Sequence, residues 1–300
     1  MKKYVALILF IWFFLACEKV ESIVDFPMVP SKLVANCEMN EDSVWMLQLS
    51  KSLSVLDNAD IKKIDTATIQ VFEDGQLLEV LSPLGDEGLY FGQTKPKADK
   101  LYRISVGGVA GFDSIYAEGS LPEKAYLKEV KSTVIDSFYQ TDDWGYSYGY
   151  MEVEFTFNIE DNPNQENFYG IRAYKLDSFY LDYDSTQLEV YKEYLGFDFD
   201  DPLFEESSNW NLLLLKDAIF NGQTVEVKAK SNYYDYKPGV NVYFECISYN
   251  KAAYLYKVSY NTYLNVANNP FAEPVQVYSN FENGYGILSG QAITENVIQL

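Results

Sequence analysis

The chain has 300 residues, of which 44 are acidic and 23 basic, and its formal net charge is −21 without a single histidine. The missing imidazole excludes Ser-His-Asp and Cys-His nucleophile systems and histidine-ligated zinc, and the acidity disfavours nucleic acid, where phosphate contacts dominate affinity. Aromatic residues make up 16% of the chain, so it can fold around a sizeable core despite its charge. At about 150 residues per domain, this length suggests two domains.

The N-terminus predicts a cleaved signal peptide. Lys2 and Lys3 precede an apolar run over residues 4–15, which is shorter than the roughly 20 residues that a membrane-spanning helix needs. The run ends at Ala16 and Cys17, and a small residue directly before such a Cys resembles a bacterial lipoprotein cleavage box. We therefore predict a signal peptide over residues 1–16 and lipidation of Cys17 by acyl chains. An ordinary signal peptide with an incidental Cys is the alternative.

The residues after Cys17 indicate where in the cell the protein is located. Residues 17–30 form a predicted tether, and Glu18 and Glu21 near its start resemble the surface-export signals of Bacteroidota lipoproteins. We expect a lipid-anchored protein of the outer membrane. Both membrane faces stay open, with the cell surface slightly favoured over the periplasmic face.

Residues 31–122 predict an immunoglobulin-like or transthyretin-like β-sandwich. Short alternating runs bounded by turn residues recur along this segment, as in sandwich domains. Asp74 and Gly75 separate two of these runs and predict a hairpin, because Gly tolerates the positive φ that such turns require. The predicted strands cover residues 32–38, 44–50, 66–72, 77–81, 88–91, 101–106 and 112–117.

Residues 123–300 predict a second β-rich domain with one helix. Apolar and aromatic residues between 251 and 266 recur at helical spacing, which predicts an amphipathic helix that packs on a sheet and ends before Pro270. Tyr256, Tyr260 and Tyr263 share this spacing. We expect this tyrosine stripe to belong to the core. The predicted strands of this domain cover residues 126–139, 150–158, 168–180, 224–230 and 240–248.

Cys37 and Cys246 lie far apart, each inside a strand-like run. We expect both to be small core thiols. A disulfide stays open, because an extracytoplasmic location permits one.

Segment 142–150 is the strongest candidate contact site. Its sequence, DDWGYSYGY, interleaves glycines with Trp144, Tyr146, Tyr148 and Tyr150. Glycine frees the backbone, while flat aromatic rings offer stacking faces at low entropic cost. Such a loop could contact a glycan, a peptide or a partner protein. The alternative is a hairpin whose aromatic side chains fold back onto their own strands.

Segment 193–206 is rich in carboxylates, and Asp198, Asp200 and Asp201 are a weak candidate for calcium, which prefers several oxygen ligands. The spacing lacks the glycine and terminal glutamate of an EF-hand loop, so an exposed acidic loop is the preferred interpretation. Glycosidase chemistry needs only two carboxylates at a set distance, and with 44 acidic residues this signal has almost no specificity.

Several segments together resemble a Bacteroidota lipoprotein family known as domain of unknown function 4249. The C-terminal segment 269–290 resembles its closing signature, and segment 216–222 (KDAIFNG) resembles its aspartate-to-glycine motif. Residues 253–256 (AYLY) are similar to its helical tyrosine motif. Residues 33–50 and 67–75 match its first domain in order and spacing.

The resemblance implies a two-part, β-rich envelope lipoprotein, often encoded beside a TonB-dependent outer-membrane receptor, and it supplies no catalytic residue. We therefore expect a non-enzymatic binding or accessory subunit of an uptake system for glycans or peptides, with that receptor as partner and no cofactor. A structural or assembly factor of the envelope is the alternative, and a carboxylate-dependent hydrolase is less favoured.

Overall fold

The computed structural model describes residues 30–54, 60–180, 188–198, 205–207, 211–234, 239–267, 269, 271–273 and 275–300. These residues form two β-sheets and one α-helix, so the predicted mainly β class is confirmed. No helix in this part of the chain has both the length and the apolar composition needed to cross a bilayer. The predicted lipidation site, Cys17, lies outside the described residues.

Seven strands build the N-terminal part. In most of them the side chains alternate between a buried and a more exposed face, as the period of two in the sequence predicts. The strands are β1 Leu33–Met39, β2 Met46–Lys51, β3 Thr68–Glu73, β4 Gln76–Leu84, β5 Leu89–Phe91, β6 Leu101–Gly107 and β7 Ile115–Ser120.

These strands surround one apolar core in the spatial order β1-β2-β5-β4-β3-β6-β7. Strand β4 pairs with β3 through its first residues and with β5 through its last ones, so it connects the half formed by β1, β2 and β5 to the half formed by β3, β6 and β7. The predicted β3–β4 hairpin is confirmed: Asp74 and Gly75 have φ values of 50° and 81°. Two successive positive φ values match the twist of the flanking strands.

Nine strands and helix α1 build the rest. They are β8 Leu127–Thr141, β9 Ser147–Glu160, β10 Phe168–Tyr180, β11 Leu188–Tyr194, β12 Glu205–Ser207, β13 Leu212–Lys216, β14 Thr224–Tyr234, β15 Asn241–Tyr249, α1 Lys251–Val266 and β16 Tyr285–Gln299. Strands β14, β9 and β8 form a separate three-stranded sheet. Strands β13, β10, β15 and β16 continue the large sheet, and the side chains between the two sheets form a second core.

Strand β16 connects the N-terminal strands to the C-terminal ones. Its first residues pair in parallel with β1, from Val34↔Tyr285 to Met39↔Gly290, and the rest pair antiparallel with β15. Gly286 makes the parallel pairing possible: its φ is +112°, and a Cβ there would lie 1.9 Å from the carbonyl oxygen of Ala35. The alternating pattern predicts no strand here, because glycines interrupt it.

The aspartate-to-glycine segment 216–222 has a structural role. The Asp217 carboxylate accepts a hydrogen bond from the backbone N–H of Asn167 at 2.7 Å. Asp161, which is buried, accepts from the Gly222 N–H at 2.8 Å and from the Tyr169 hydroxyl at 2.5 Å. The two carboxylates thereby fix the turns between strands of both sheets.

Helix α1 covers one face of the large sheet and has the predicted bounds. The Asn250 side chain caps its N-terminus by accepting from the Ala253 N–H at 2.9 Å. The helix buries Ala253 and Tyr254 against Phe168 and Tyr249. The predicted tyrosine stripe is offset from this buried face, which corrects its expected place in the core.

The two described cysteines are free and buried, Cys37 in the first core and Cys246 in the second. They therefore behave as the core thiols that the sequence predicts. Burial raises the pKa of each thiol to about 12.

Candidate functional site

Strands β8 and β9 form a long hairpin whose tip carries the predicted aromatic residues. Among the described residues, β14 pairs with β9 as far as Tyr150, and residues 147–149 of β9 pair with β8. On β8 only Leu127 is buried, so this strand is a solvent-exposed edge for nearly its whole length. The sequence thus places its aromatic segment at the outermost end of the hairpin.

Hydrogen bonds hold the turn at the tip. The Asp142 carboxylate accepts from the backbone N–H groups of Trp144 and Tyr146, at 3.0 and 2.8 Å. The Asp142 N–H donates to the Tyr146 carbonyl at 2.8 Å, and Gly145 supplies a φ of +84°. An Asp side chain that bonds the backbone two residues on is a standard turn device. The backbone below the exposed rings is therefore fixed.

The four predicted contact residues divide into two pairs. Trp144 and Tyr146 are 87% and 74% exposed. Tyr148 and Tyr150 instead contact the ring of Phe138 on the opposite strand, with centroids 6.1 and 6.2 Å apart. Tyr148 and Tyr150 thus fold back onto their own hairpin, which is the alternative that the sequence leaves open. Trp144 and Tyr146 project into solvent.

Of the three aspartates in the weak calcium candidate, the structure describes one. Asp198 forms a backbone bridge with Lys230, with N–H to carbonyl distances of 2.8 and 3.1 Å. Asp200 and Asp201 lie outside the described residues. Within the described ranges, no group of three or more Cys, Asp or Glu side chains is arranged to hold a metal ion.

A groove beside helix α1 is a second candidate, and the sequence patterns do not predict it. It has a volume of about 380 Å³, within the roughly 300–1,000 Å³ typical of ligand sites. We call it the helix groove. Its polar and aromatic lining includes Asn36, Glu38, Gln48, Tyr256, Lys257 and Gln291. These residues come from two distant regions of the chain, β1 and β2 near its start and α1 and β16 near its end, so no local motif marks the site.

Opposite charges face each other across the helix groove. Displacement of water from the Glu38 carboxyl raises its pKa, and the positive charges of Lys257 and Arg172 partly oppose this rise. Burial lowers the pKa of Lys257, and Glu38 opposes this shift. The Gln291 amide donates to Glu38 at 2.5 Å. Glu38 is the one carboxylate among the described lining residues, whereas glycoside hydrolysis uses two.

An ion cluster centred on the buried Glu245 lies next to the groove on the same sheet face. Glu245 accepts from the Arg172 Nε and, at 2.7 Å, from the Lys192 Nζ. The Arg172 guanidinium also lies over the Tyr194 ring, 4.8 Å from its centroid. Both cations thus share the buried carboxylate of Glu245, which supplies the pairing that a buried charge requires. The cluster fixes the sheet that supports the groove.

Comparisons with known proteins give one informative match. No curated protein matches the chain. Among solved structures, a chain described as "Complete structure of manganese lipoxygenase of Gaeumannomyces graminis and partial structure of zonadhesin of Komagataella pastoris" is 10% identical, with a TM-score of 0.19. The alignment covers 74% of this chain and 89% of that one, and a score this low carries no argument.

The informative match is to a family model, which covers residues 20–296. That range includes both cores, helix α1 and most of strand β16. It also includes every segment that carries the resemblance noted in the sequence. The protein belongs to the family described as Domain of unknown function (DUF4249).

Proposed function

We propose that the protein is a lipid-anchored outer-membrane subunit without catalytic activity of its own, which binds a partner protein through the tip of the β8–β9 hairpin. One observation carries this proposal: Trp144 and Tyr146 project almost fully into solvent from a hydrogen-bonded turn. Exposed apolar patches mark interaction sites, and Trp and Tyr dominate the energetic centres of protein interfaces.

The fixed turn favours binding for a second reason. Association must offset the entropy lost when loops and side chains become ordered at an interface. The hydrogen bonds of Asp142 hold the backbone before any partner arrives, so less entropy is lost. Asp142 and Asp143 make the tip acidic, which favours a basic surface on the partner.

The resemblance to envelope lipoproteins encoded beside TonB-dependent receptors supplies the proposed partner. In this proposal the acyl chains on Cys17 keep the protein at the outer membrane, where the hairpin contacts such a receptor. The complex would serve uptake of a glycan or a peptide.

Affinity purification of the tagged full-length protein from detergent-solubilised outer membranes tests the proposal. We expect a β-barrel receptor to co-purify and the double variant Trp144→Ala/Tyr146→Ala to lower its recovery at least about tenfold, because each anchor contributes about 2 kcal/mol or more. Tyr126→Ala is the matched control, since Tyr126 is also an exposed aromatic residue but lies away from the tip. A clean monomer, or equal recovery with the double variant, would refute the proposal.

Growth of a deletion strain separates this role from an envelope-assembly role. An uptake subunit predicts a defect limited to particular carbon or nitrogen sources. Sensitivity to detergent on every nutrient would instead support assembly.

A further inference from the structure

We propose that the helix groove binds a neutral saccharide of one or two rings. This inference rests on the proposed binding role and specifies its ligand class, but it does not depend on the hairpin. The groove has the volume of a small-ligand site, and its lining combines an aromatic ring with several hydrogen-bonding side chains.

The polar wall has unused hydrogen-bonding capacity. The amides of Asn36 and Gln48 are exposed in the groove, and neither has a hydrogen-bond partner within the described part of the protein. Glu38 receives a bond from Gln291 on Oε1, and a carboxylate can accept about four in total. Donors and acceptors therefore lie side by side, as the hydroxyl groups of a sugar require.

The opposite wall is aromatic. Tyr256 is half-buried, and its ring stacks on that of Tyr260 with centroids 5.8 Å apart and an angle of 6° between the planes. This contact fixes the orientation of the Tyr256 ring beside the groove. A fixed aromatic ring suits the apolar face of a sugar at little entropic cost.

The charges favour a neutral ligand. Glu38 and Lys257 already balance each other, and the surrounding protein disfavours the charged form of both. Because this pair carries no net charge, the groove offers a charged ligand no unmatched counter-charge. The chain's net charge of −21 further opposes anions.

The strand pairing disfavours a peptide. Strand β1 forms the floor of the groove and is paired on both edges, with β16 and with β2. Peptides that add to a sheet need an edge with free backbone groups. Recognition here must use side chains, which again suits a polyhydroxylated ligand.

Amide chemical-shift titrations of the purified protein test the inference. The probes are glucose, maltose, cellobiose and N,N′-diacetylchitobiose, with glucuronate and the dipeptide Ala-Ala for comparison. We expect at least one neutral saccharide to bind, with shifts centred on Lys257, Ser289 and Gln291. We expect Tyr256→Ala and Gln48→Ala each to raise the Kd of that saccharide about tenfold, the equivalent of 1.4 kcal/mol.

Tyr263→Ala is the matched control, because Tyr263 belongs to the same tyrosine stripe but does not line the groove. Gln48 is exposed on a strand, so its variant keeps the test decisive if Tyr256→Ala fails to fold. The inference is wrong if no neutral saccharide binds, if only glucuronate or the dipeptide binds, or if both groove variants bind like the wild type. The titration needs no partner protein, so failure of the hairpin proposal leaves its outcome unaffected.

Discussion

Substituting Gly286 by alanine should disrupt the parallel pairing of strand β16 with β1 and destabilise the protein. Gly286 lies where the two strands meet, and its φ of +112° is one that side chains other than glycine rarely adopt. A Cβ would lie 1.9 Å from the Ala35 carbonyl oxygen, 2.6 Å from its carbonyl carbon and 2.7 Å from its nitrogen. All three are backbone atoms, so no side-chain rotation can relieve the overlap.

The cost follows from two sources. Backbone strain at such a φ contributes about 1–3 kcal/mol. Moving β1 away from β16 at this point breaks at least two backbone hydrogen bonds, which adds about 2 kcal/mol. We therefore expect Gly286→Ala to lower the free energy of unfolding by about 3–5 kcal/mol, a large share of the roughly 5–15 kcal/mol that domains possess.

Urea unfolding of the purified protein, followed by circular dichroism, measures this loss. Gly75→Ala is the matched control: Gly75 also has a positive φ, +81°, but a Cβ added there would meet nothing within 4 Å. It should cost about 1–2 kcal/mol from the backbone alone. If Gly286→Ala unfolds within about 1 kcal/mol of this control, the two strands have room for a side chain and the steric argument is refuted.

Three further predictions concern buried polar groups. Asn280 bonds both backbone groups of Leu288, at 3.0 and 2.8 Å, so Asn280→Ala should cost about 1–3 kcal/mol in urea unfolding. Glu245→Gln should cost about 2–3 kcal/mol in the same assay, because it leaves two cations without their shared carboxylate. The raised pKa of Cys37 and Cys246 favours the neutral thiol in the folded state, so stability should be retained below pH 9 and fall as the pH rises from about 9 to about 12.

Each of these predictions has its own control. Gln276→Ala changes an exposed amide near Asn280 and should stay within about 0.5 kcal/mol of the wild type; a similar loss in both variants would contradict the role of Asn280. Raising the ionic strength should reduce but not abolish the Glu245→Gln effect, because Glu245 is buried whereas Lys192 is 42% exposed; complete loss of the effect at high salt would contradict the role of Glu245. Cys246→Ala should flatten the alkaline fall, and an unchanged slope would exclude this thiol as its source.

Local signals accounted for much of the secondary structure. Helix α1 was predictable because its 3.6-residue period, its Asn250 cap and the Pro270 that follows are all local in sequence. The β3–β4 hairpin was predictable because Asp-Gly between two alternating runs is a strong signal for a tight hairpin turn. The face that helix α1 buries was not predictable, because the rotation of the helix about its axis depends on which side chains of the sheet contact Tyr254.

The two candidate sites also differ in how far the sequence predicts them. The aromatic hairpin tip is contiguous in sequence, so its residues could be named before the fold was known, although only the fold separates Trp144 and Tyr146 from the pair that packs on Phe138. The helix groove has no contiguous signal, because its lining joins β1 and β2 to α1 and β16, and about 200 residues separate these two pairs of elements.

By itself, the sequence determined the mainly β class, the family, the hairpin turn and the helix, because these depend on periodicity, turn chemistry and short motifs. Only the tertiary structure decided that β16 pairs with β1, from the opposite end of the chain, and that a groove of mixed polar and apolar lining forms where they meet the helix. A strand pattern with a period of two states which face is apolar but not which strand lies beside it. That choice is made by contacts between distant residues, such as the close approach of Gly286 to Ala35.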